Sequence, residues 1–293
     1  ALLGLGEHLT GWRYHAENRT VFLGYKIGNL QTYRPILFFG HTLSYSSVMV
    51  MLFFIAVGFL TARSDMKKSM LLFSAISMGL VVIAAFSRGT WYAALATAIP
   101  LIFIARGTKI RAIILGTVAV VILGGIFIPQ FNQRVVAEEG NDNASSDREV
   151  YWQVAYHIWQ DHPILGIGAD NWDLFYPRYK PTETTAILSN PDHPHNEYLN
   201  VLTSSGIFGL AAYLWMWVAL LWAGLKALRR EQDTFYRGLI TGGMAALVCV
   251  LIAQLTQDIF HDFTDQLTWW FITGLVLVAI ERSRNEVKEQ GSH

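Results

Sequence analysis

The sequence predicts an all-α polytopic membrane protein with about seven transmembrane helices and a large helical segment on the outer face. Of its 293 residues, 53% are hydrophobic and only 15% are charged, against about a quarter charged in an ordinary soluble domain. Seven long apolar stretches contain no Asp, Glu, Lys or Arg, and a helix needs about 20 such residues to cross a bilayer. Basic residues also alternate between the connecting loops, which is typical of membrane proteins.

Composition excludes several other classes. Lys plus Arg and Asp plus Glu number 22 each, so the net charge is zero and no basic excess indicates nucleic-acid binding. The one cysteine, Cys249, excludes a disulfide framework or a cysteine-based metal cluster within the chain. Ala1 in place of Met, without a signal pattern after it, favours a fragment of a longer protein.

The candidate spans divide the chain into regions. In order they are residues 35–62, 69–87, 89–105, 112–133, 198–225, 238–257 and 266–280. The predicted organisation begins with an N-terminal outer region (1–34), four transmembrane helices (35–129) and an outer segment with amphipathic helices (130–197). Three more transmembrane helices (198–281), an inner tail (282–290) and a tag remnant (291–293) follow.

Charge orients these spans. Four short segments on one side hold 13 basic and 6 acidic residues, whereas the other side holds 9 basic and 16 acidic. Because Lys and Arg mark the inner side, residues 1–34 are expected outside and the C-terminal tail inside. The histidines before the tag remnant fall in outer segments or at outer helix ends, namely His8, His15, His41, His157, His162, His193, His195 and His261. We therefore expect any chemistry on the outer face.

The large outer segment has its own helix signals. Ser146 and Glu149 fit a capping box, which predicts a helix start there. An apolar stripe follows and ends before His162 and Pro163, with members Val150, Tyr151, Val154, Ala155, Ile158 and Trp159. We expect this amphipathic helix to lie against the membrane surface. Arg148 shares a face with Trp152, and it is either a ligand-binding group or a snorkelling surface arginine.

Two further polar sites lie at span ends. His195 stands at the outer mouth of the span that begins at 198, where a structural hydrogen bond is the alternative to catalysis; Asp192, His193 or Asn196 could cap this helix. Arg88 lies between two apolar spans on the outer side, against the positive-inside bias. An anionic ligand explains such an arginine, since two planar guanidinium groups suit a diphosphate.

Three stretches together resemble the O-antigen ligase and polymerase family of bacterial inner membranes. They are residues 86–89 (FSRG), residues 148–152 (REVYW) with 162–168 (HPILGIG), and residues 193–199 (HPHNEYL) with 206–210 (GIFGL). Their order and their positions relative to the spans agree over roughly residues 35–280. The resemblance does not separate ligases from polymerases.

The resemblance implies a GT-C-like membrane glycosyltransferase that is inverting and needs no metal or other cofactor, with its active site at the periplasmic face of the inner membrane. The donor would be a glycan on undecaprenyl diphosphate, and the acceptor a sugar hydroxyl of the lipid A core in a ligase, which is favoured, or another lipid-linked repeat unit in a polymerase. Membrane lipids would surround the protein. Arg88 and Arg148 would hold the diphosphate, and His195 would deprotonate the acceptor hydroxyl.

Other residues are candidates for substrate contact. Trp152 and Trp172 could stack on a glycan, and Asn196 accompanies His195 in its motif. His41 and Tyr45 could line a cleft, although packing is the simpler explanation. On the outer side Arg34, together with Arg13, Arg19 and Lys26, could meet a phosphorylated acceptor. Asp258 and Asp262, one helical turn apart, could orient the arginines or the histidine, or be surface charges.

Two alternatives stay open. A transporter would carry ionisable groups at mid-depth or paired broken helices; Gly242, Gly243 and Pro100 interrupt spans, but not in matching halves. A metal enzyme could use the polar residues of the last outer loop with His193 or His195, although the spacing of His261, Asp262 and Asp265 matches no metal motif.

Overall fold

The computed structural model describes residues 1–10, 26–27, 30–31, 42–62, 65–85, 87–104, 111, 143–181, 191–258 and 263–290. Within these ranges the elements are, in order, α1 Leu2–Thr10, β1 Lys26–Ile27, β2 Leu30–Gln31, α2 Thr42–Ala62, α3 Lys68–Ala84, α4 Arg88–Ile104, α5 Asn143–Asp161, α6 Trp172–Tyr179, α7 Glu197–Arg230, α8 Thr234–Ala253 and α9 Phe263–Gln290. The fold is helical, as predicted. One antiparallel ladder, which pairs Lys26 with Gln31 and Ile27 with Leu30, was not predicted.

The apolar stretches correspond to these helices. In the described part of the chain, four helices are long and apolar enough to cross a membrane: Leu43–Ala62, Glu197–Arg230, Thr234–Ala253 and Phe263–Glu286. The second and third predicted spans form α3 and α4, of 17 residues each. The predicted span at 112–133 lies outside the described residues. The chain is thus a helical protein with several candidate membrane helices.

The chain forms two compact units. The first comprises Ala1–Val136, Ala223–Ile252 and Phe263–His293, and the second comprises Ala137–Trp222 and Ala253–Asp262. In the first unit α2 packs against α3 and α4. A Cβ on Gly58 of α2 would collide with the backbone of Gly242 in α8. Small residues allow such close approach of membrane helices, so Gly242 serves packing and does not break α8.

The second unit has its own apolar core. Tyr151, Val154, Ala155 and Ile158, all members of the predicted stripe of α5, are buried with Trp172 and Tyr176 of α6. The stripe is therefore covered by α6; that the helix itself lies against the membrane surface stays a prediction. The helix ends at Asp161 as predicted, but it begins at Asn143, so the capping box does not mark its start.

A break in α7 joins this helix to the glycine-rich loop after α5. Gly206 has φ 66° and ψ −166°, a conformation available almost only to glycine. A regular helix would pair Ile207 N–H with the carbonyl of Thr203; here Ile207 donates to the Pro163 carbonyl at 2.9 Å, and Thr203 accepts from Ile167 at 2.8 Å. The glycine-containing motifs at 162–168 and 206–210 are thus held together by backbone hydrogen bonds.

Candidate functional site

His195 lies in the second unit, directly before the start of α7, in a left-handed backbone conformation with φ 53°. Positive φ is uncommon for residues other than glycine, and it costs about 1 to 3 kcal/mol unless surrounding contacts fix it. Such strained residues cluster at active sites and ligand clamps. The backbone of His195 therefore requires support from its neighbours.

Three hydrogen bonds provide this support. The backbone N–H of His195 donates to Nδ1 of His193 at 3.2 Å. Nε1 of Trp152, on α5, donates to the carbonyl of Pro194 at 3.1 Å. Oδ1 of Asn196 accepts the Leu199 N–H at 3.1 Å and so caps α7. Asn196, one of the three predicted caps for this helix, thus forms a cap.

The segment after α8 anchors the same loop. Nδ2 of Asn196 donates to the Leu255 carbonyl at 2.9 Å, and the Glu197 N–H donates to the Gln254 carbonyl at 3.0 Å. Both ends of the Asn196 amide are thus engaged in positioning the loop. Residues 254–258 therefore act as a brace for the start of α7.

A polar cluster lies beside His195. Nδ1 of His193 is 3.5 Å from Oδ2 of Asp258, an ion-pair distance, and Nδ2 of Asn200 donates to the same oxygen at 3.1 Å. The Asp258 side chain is only 1% exposed, and its Oδ1 has no hydrogen-bond partner among the described residues. Asp258 lies after the end of α8 rather than within a helix. It orients a histidine, as one sequence interpretation held, but that histidine is His193.

The position of the hydrogen on the His193 ring determines whether Nδ1 accepts the His195 N–H or donates to the Asp258 carboxylate. In the neutral ring with hydrogen on Nε2, Nδ1 is an acceptor for the His195 N–H. In the protonated ring, Nδ1 carries a hydrogen and faces the Asp258 carboxylate. The cluster can therefore accommodate a positive charge next to His195.

The ring of His195 is packed between other rings. It makes an edge contact with His193 at 4.3 Å between centroids and lies 5.8 Å from Tyr151. Tyr151 belongs to the core shared by α5 and α6, and its ring is 5.9 Å from that of Tyr176. Contacts with the core of the second unit thus fix the position of the imidazole.

Arg148 and Trp152 are four residues apart on α5, and both are partly buried. This spacing places them on one face of the helix, as the sequence predicted. Because the Trp152 indole is bound to the Pro194 carbonyl, that face borders the loop that carries His195. The second unit therefore brings Arg148, Trp152 and His195 into one neighbourhood.

Arg88 lies in the first unit and is the first residue of α4. Ser87 precedes it and caps the helix: its Oγ lies 2.9 Å from the Thr90 hydroxyl and accepts the Thr90 N–H at 3.5 Å. Nε1 of Trp91 donates to the Val82 carbonyl at 2.9 Å, which holds the turn between α3 and α4. A cation is unfavourable at a helix N-terminus, whereas an anion is favoured there. The helix dipole therefore does not explain a cation at this position.

The remaining predicted residues separate into two groups. Arg34, His41, Asp262 and His261 lie outside the described residues. Trp172 is buried and stacked on Tyr176, with 5.7 Å between ring centroids, so it cannot stack on a glycan. In the described ranges, no group of three or more His, Cys, Asp or Glu side chains is arranged to hold a metal.

Sequence reasoning missed the pairing of His193 with Asp258 and the role of Tyr151. His193 and Asp258 are 65 positions apart, and no local pattern links them. The repeated histidine around Pro194 was the one available signal, because it places two imidazoles close together at a helix start.

The sequence is similar to several known proteins. Residues 73–214 match the family described as O-antigen ligase. Over 167 residues, 54% of the chain, it is 26% identical to an O-antigen ligase of Salmonella typhimurium. Over 126 residues, 43% of the chain, it is 23% identical to the teichuronic acid biosynthesis protein TuaE of Bacillus subtilis. The resemblance to the O-antigen ligase and polymerase family is thereby confirmed.

These similarities cover the candidate site only in part. The matched range 73–214 contains Arg88, Arg148, His195 and Gly206, whereas Asp258 follows it. The aligned segments span 41% and 24% of the lengths of the two relatives. The chain thus covers less than half of either protein.

Proposed function

We propose that this chain carries the catalytic part of a membrane glycosyltransferase that moves a glycan from undecaprenyl diphosphate to a sugar hydroxyl of the lipid A core. The family match and the helical fold support the transferase class. The proposed setting is the bacterial inner membrane, crossed by about seven helices of GT-C type, with His195 on the periplasmic side. No metal or other cofactor takes part in the proposed reaction.

The observation that carries this proposal is the geometry of His195. A strained residue, braced by hydrogen bonds from three elements and flanked by a buried carboxylate, is costly to maintain for packing alone. An imidazole in that position is suited to general base catalysis near neutral pH. This combination favours a catalytic over a purely structural histidine.

The proposed reaction is a single displacement at the anomeric carbon of the donor. A ring nitrogen of His195 removes the proton of the acceptor hydroxyl as its oxygen bonds to that carbon. The bond from the anomeric carbon to the phosphate oxygen breaks, and undecaprenyl diphosphate leaves with the electron pair. Attack opposite the leaving group inverts the anomeric configuration. The negative charge of the Asp258 carboxylate, which faces the neighbouring His193, offsets the positive charge left on His195.

Arg88 and Arg148 are proposed to bind the diphosphate. Each guanidinium can donate two parallel hydrogen bonds to phosphate oxygens, and its charge offsets the negative charge that develops on the leaving group. Trp152, Asn196, Arg34, His41 and Asp262 are the further residues proposed near substrate, with Asn196 acting through its position in the loop.

A second candidate function is the joining of lipid-linked repeat units. One relative is named an O-antigen ligase and the other a teichuronic acid biosynthesis protein. The names thus differ in the polysaccharide concerned, and the acceptor is the point on which the two candidate functions differ. The chemistry at His195 is the same in both, because each acceptor presents a sugar hydroxyl.

The test is transfer in proteoliposomes that contain a glycan on undecaprenyl diphosphate, with and without lipid A core, in the presence of chelator. The variants are His195→Ala and His195→Asn. Asparagine tolerates positive φ better than alanine but cannot act as the base. Comparison of the two variants therefore separates loss of the base from backbone strain.

We expect glycosylated lipid A core from the wild type and a loss of about 10² to 10⁴-fold in both variants, with His195→Asn melting at the wild-type temperature. A longer lipid-linked glycan as the sole product would favour the polymerase. Passage of the donor across the bilayer without transfer would reject the enzyme and support a transporter. Activity lost on chelation in the wild type would bring back the metal hypothesis.

A further inference from the structure

The outward face of α5 carries an open groove, of which the proposed function has so far involved only Trp152. Its volume is about 390 Å³, and it is lined by Glu149, Trp152, Gln153, Tyr156 and His157. Pocket volumes that hold small ligands begin at about 300 Å³. The groove therefore has room for a sugar ring.

Most side chains on the groove side of α5 lie outside the apolar core of the unit. The lining residues follow helical spacing, and they lie on the side of α5 opposite to the buried stripe that contains Tyr151 and Ile158. Trp152 packs partly against the core, whereas the Tyr156 side chain is 50% exposed and that of His157 is exposed as well. Packing within the unit therefore does not explain the rings of Tyr156 and His157.

The chemistry of the groove suits a carbohydrate. A pyranose has an apolar face of C–H groups, which packs on aromatic rings, and hydroxyls that both donate and accept hydrogen bonds. Trp152 and Tyr156 offer the rings, while the Glu149 carboxylate and the Gln153 amide offer acceptors and donors. Nδ1 of His157 lies 3.3 Å from Oε1 of Gln160, which leaves Nε2 to meet a ligand hydroxyl.

The lining also limits the charge of the ligand. Among the described residues that line the groove, Glu149 is the one with a charged side chain, and a carboxylate there disfavours acidic sugars and the phosphates of anionic lipids. Surface helices that bind membranes present Lys and Arg on their polar face, and no Lys or Arg is found among these described lining residues. A neutral sugar is therefore favoured over a lipid surface.

The groove is also tied to the catalytic loop. Trp152 lines it, and the same indole donates to the carbonyl of Pro194, the residue before His195. We propose that this face of α5 is a sugar-binding subsite, which takes a neutral pyranose ring of the glycan substrate beside the loop that carries His195. This inference rests on the proposed transferase function and extends it.

The pyranose could belong to the donor glycan or to the acceptor, and substrate kinetics distinguish them. In proteoliposomes, the KM for undecaprenyl-diphosphate glycan and the KM for lipid A core are measured separately for Tyr156→Ala, Tyr156→Phe, Gln153→Ala and a control. Leu174→Ala is the matched control, since Leu174 is a 63% exposed side chain of the same unit outside the groove. Melting temperatures verify folding.

We expect Tyr156→Ala to raise one of the two KM values about tenfold, with kcat changed less than about twofold. Tyr156→Phe, which keeps the ring, and Leu174→Ala should behave as the wild type. A rise in the donor KM identifies the donor glycan, and a rise in the acceptor KM identifies the acceptor. Unchanged KM values in both Tyr156→Ala and Gln153→Ala would overturn the subsite. An equal loss of activity with both substrates, together with poorer insertion of the protein into vesicles, would also overturn it, because this result would indicate a membrane contact.

A binding measurement separates this inference from the proposed function. Calorimetric titration of the purified protein with the oligosaccharide released from the donor, and with that released from the acceptor, needs no transfer. If the wild type transfers nothing but binds one oligosaccharide, and Tyr156→Ala does not, then the subsite stands and the transferase fails. If transfer proceeds but neither oligosaccharide binds and the KM values do not change, then the transferase stands and the subsite is rejected.

Discussion

The backbone N–H of Ile167 donates to the carbonyl of Thr203 at 2.8 Å, across the break that Gly206 makes in α7. A second bond of this kind runs from Gly168 to the Ser204 carbonyl at 2.9 Å. The break would otherwise leave these carbonyls without helical partners, and the loop after α5 supplies them. The start of α7, and with it the His195 loop, is thereby fixed to α5.

Replacement of Gly206 by Ala should be severely destabilising. A Cβ at this position would collide with the Ile164 carbonyl, and the positive φ adds strain. We expect a loss of about 3 kcal/mol or more in the free energy of unfolding, measured by chemical denaturation. Gly274→Ala is the matched control, because a Cβ there meets nothing within 4 Å, and alanine in a helix is expected to be neutral or stabilising. Similar stability of both variants would show that the close contact of Gly206 with the loop after α5 is not required for folding.

Removal of the Asp258 charge should impair turnover more than binding. Asp258→Asn keeps the shape but loses the carboxylate that faces His193, so we expect kcat to fall about tenfold at unchanged KM. His193→Ala and the double variant complete the cycle. Because the residues act as one unit, the double variant should lose little more than either single variant. Fully additive losses would show that the pair does not act together.

Arg88 should matter for activity. Arg88→Ala removes the guanidinium that is proposed to bind the diphosphate, at the N-terminus of α4, and the melting temperature of the variant verifies that it is folded. Transfer should decrease about 10²-fold, and inhibition by undecaprenyl diphosphate should weaken, since one diphosphate contact is lost.

Arg148→Lys tests the other proposed diphosphate contact. Lysine keeps the charge but not the planar pair of donors, so both activity and inhibition should be reduced but not abolished. Undiminished inhibition by undecaprenyl diphosphate in the Arg88 and Arg148 variants would remove both residues from the diphosphate site.

Truncation of the core between α5 and α6 should loosen the outer unit. Ile158 is fully buried there, and Ile→Ala substitutions in cores cost about 2 to 5 kcal/mol. Hydrogen exchange of α5 and α6 amides should accelerate in Ile158→Ala, while that of α2 should stay as in the wild type, because α2 belongs to the other unit. Equal acceleration in α2 would show that the units do not unfold separately.

A pH titration should detect the link between α6 and the end of α5. The hydroxyl of Tyr179 donates to Oδ2 of Asp161 at 2.7 Å, and this hydrogen bond, with burial and the Asp161 charge, raises the pKa of Tyr179. Its stabilising contribution is therefore complete below pH 10 and is lost as the pH rises through the elevated pKa. The ultraviolet difference spectrum between the wild type and Tyr179→Phe should show a tyrosine that ionises later than free tyrosine; Asp161→Asn should bring it back towards pH 10.

Local patterns in the sequence predicted most of the helices. Runs without charges anticipated α2, α7 and α8, and the helical period of apolar residues anticipated which face of α5 is buried. Both signals come from residues close together in the chain. What the sequence did not predict is the partner: nothing in the stripe of α5 indicates that α6 covers it.

The features of the candidate site also separate into those that the sequence predicted and those that only the structure showed. The sequence by itself determined that His195 precedes a long apolar helix, that Arg88 lies at the start of another apolar helix, and that Arg148 and Trp152 share a face of α5, since these follow from patterns along the chain. Only the tertiary structure decided that Asp258 faces His193, that Trp152 holds Pro194, and that Gly206 accommodates the loop after α5. These relationships join segments tens of residues apart, and their geometry depends on packing and on backbone angles that no local pattern encodes.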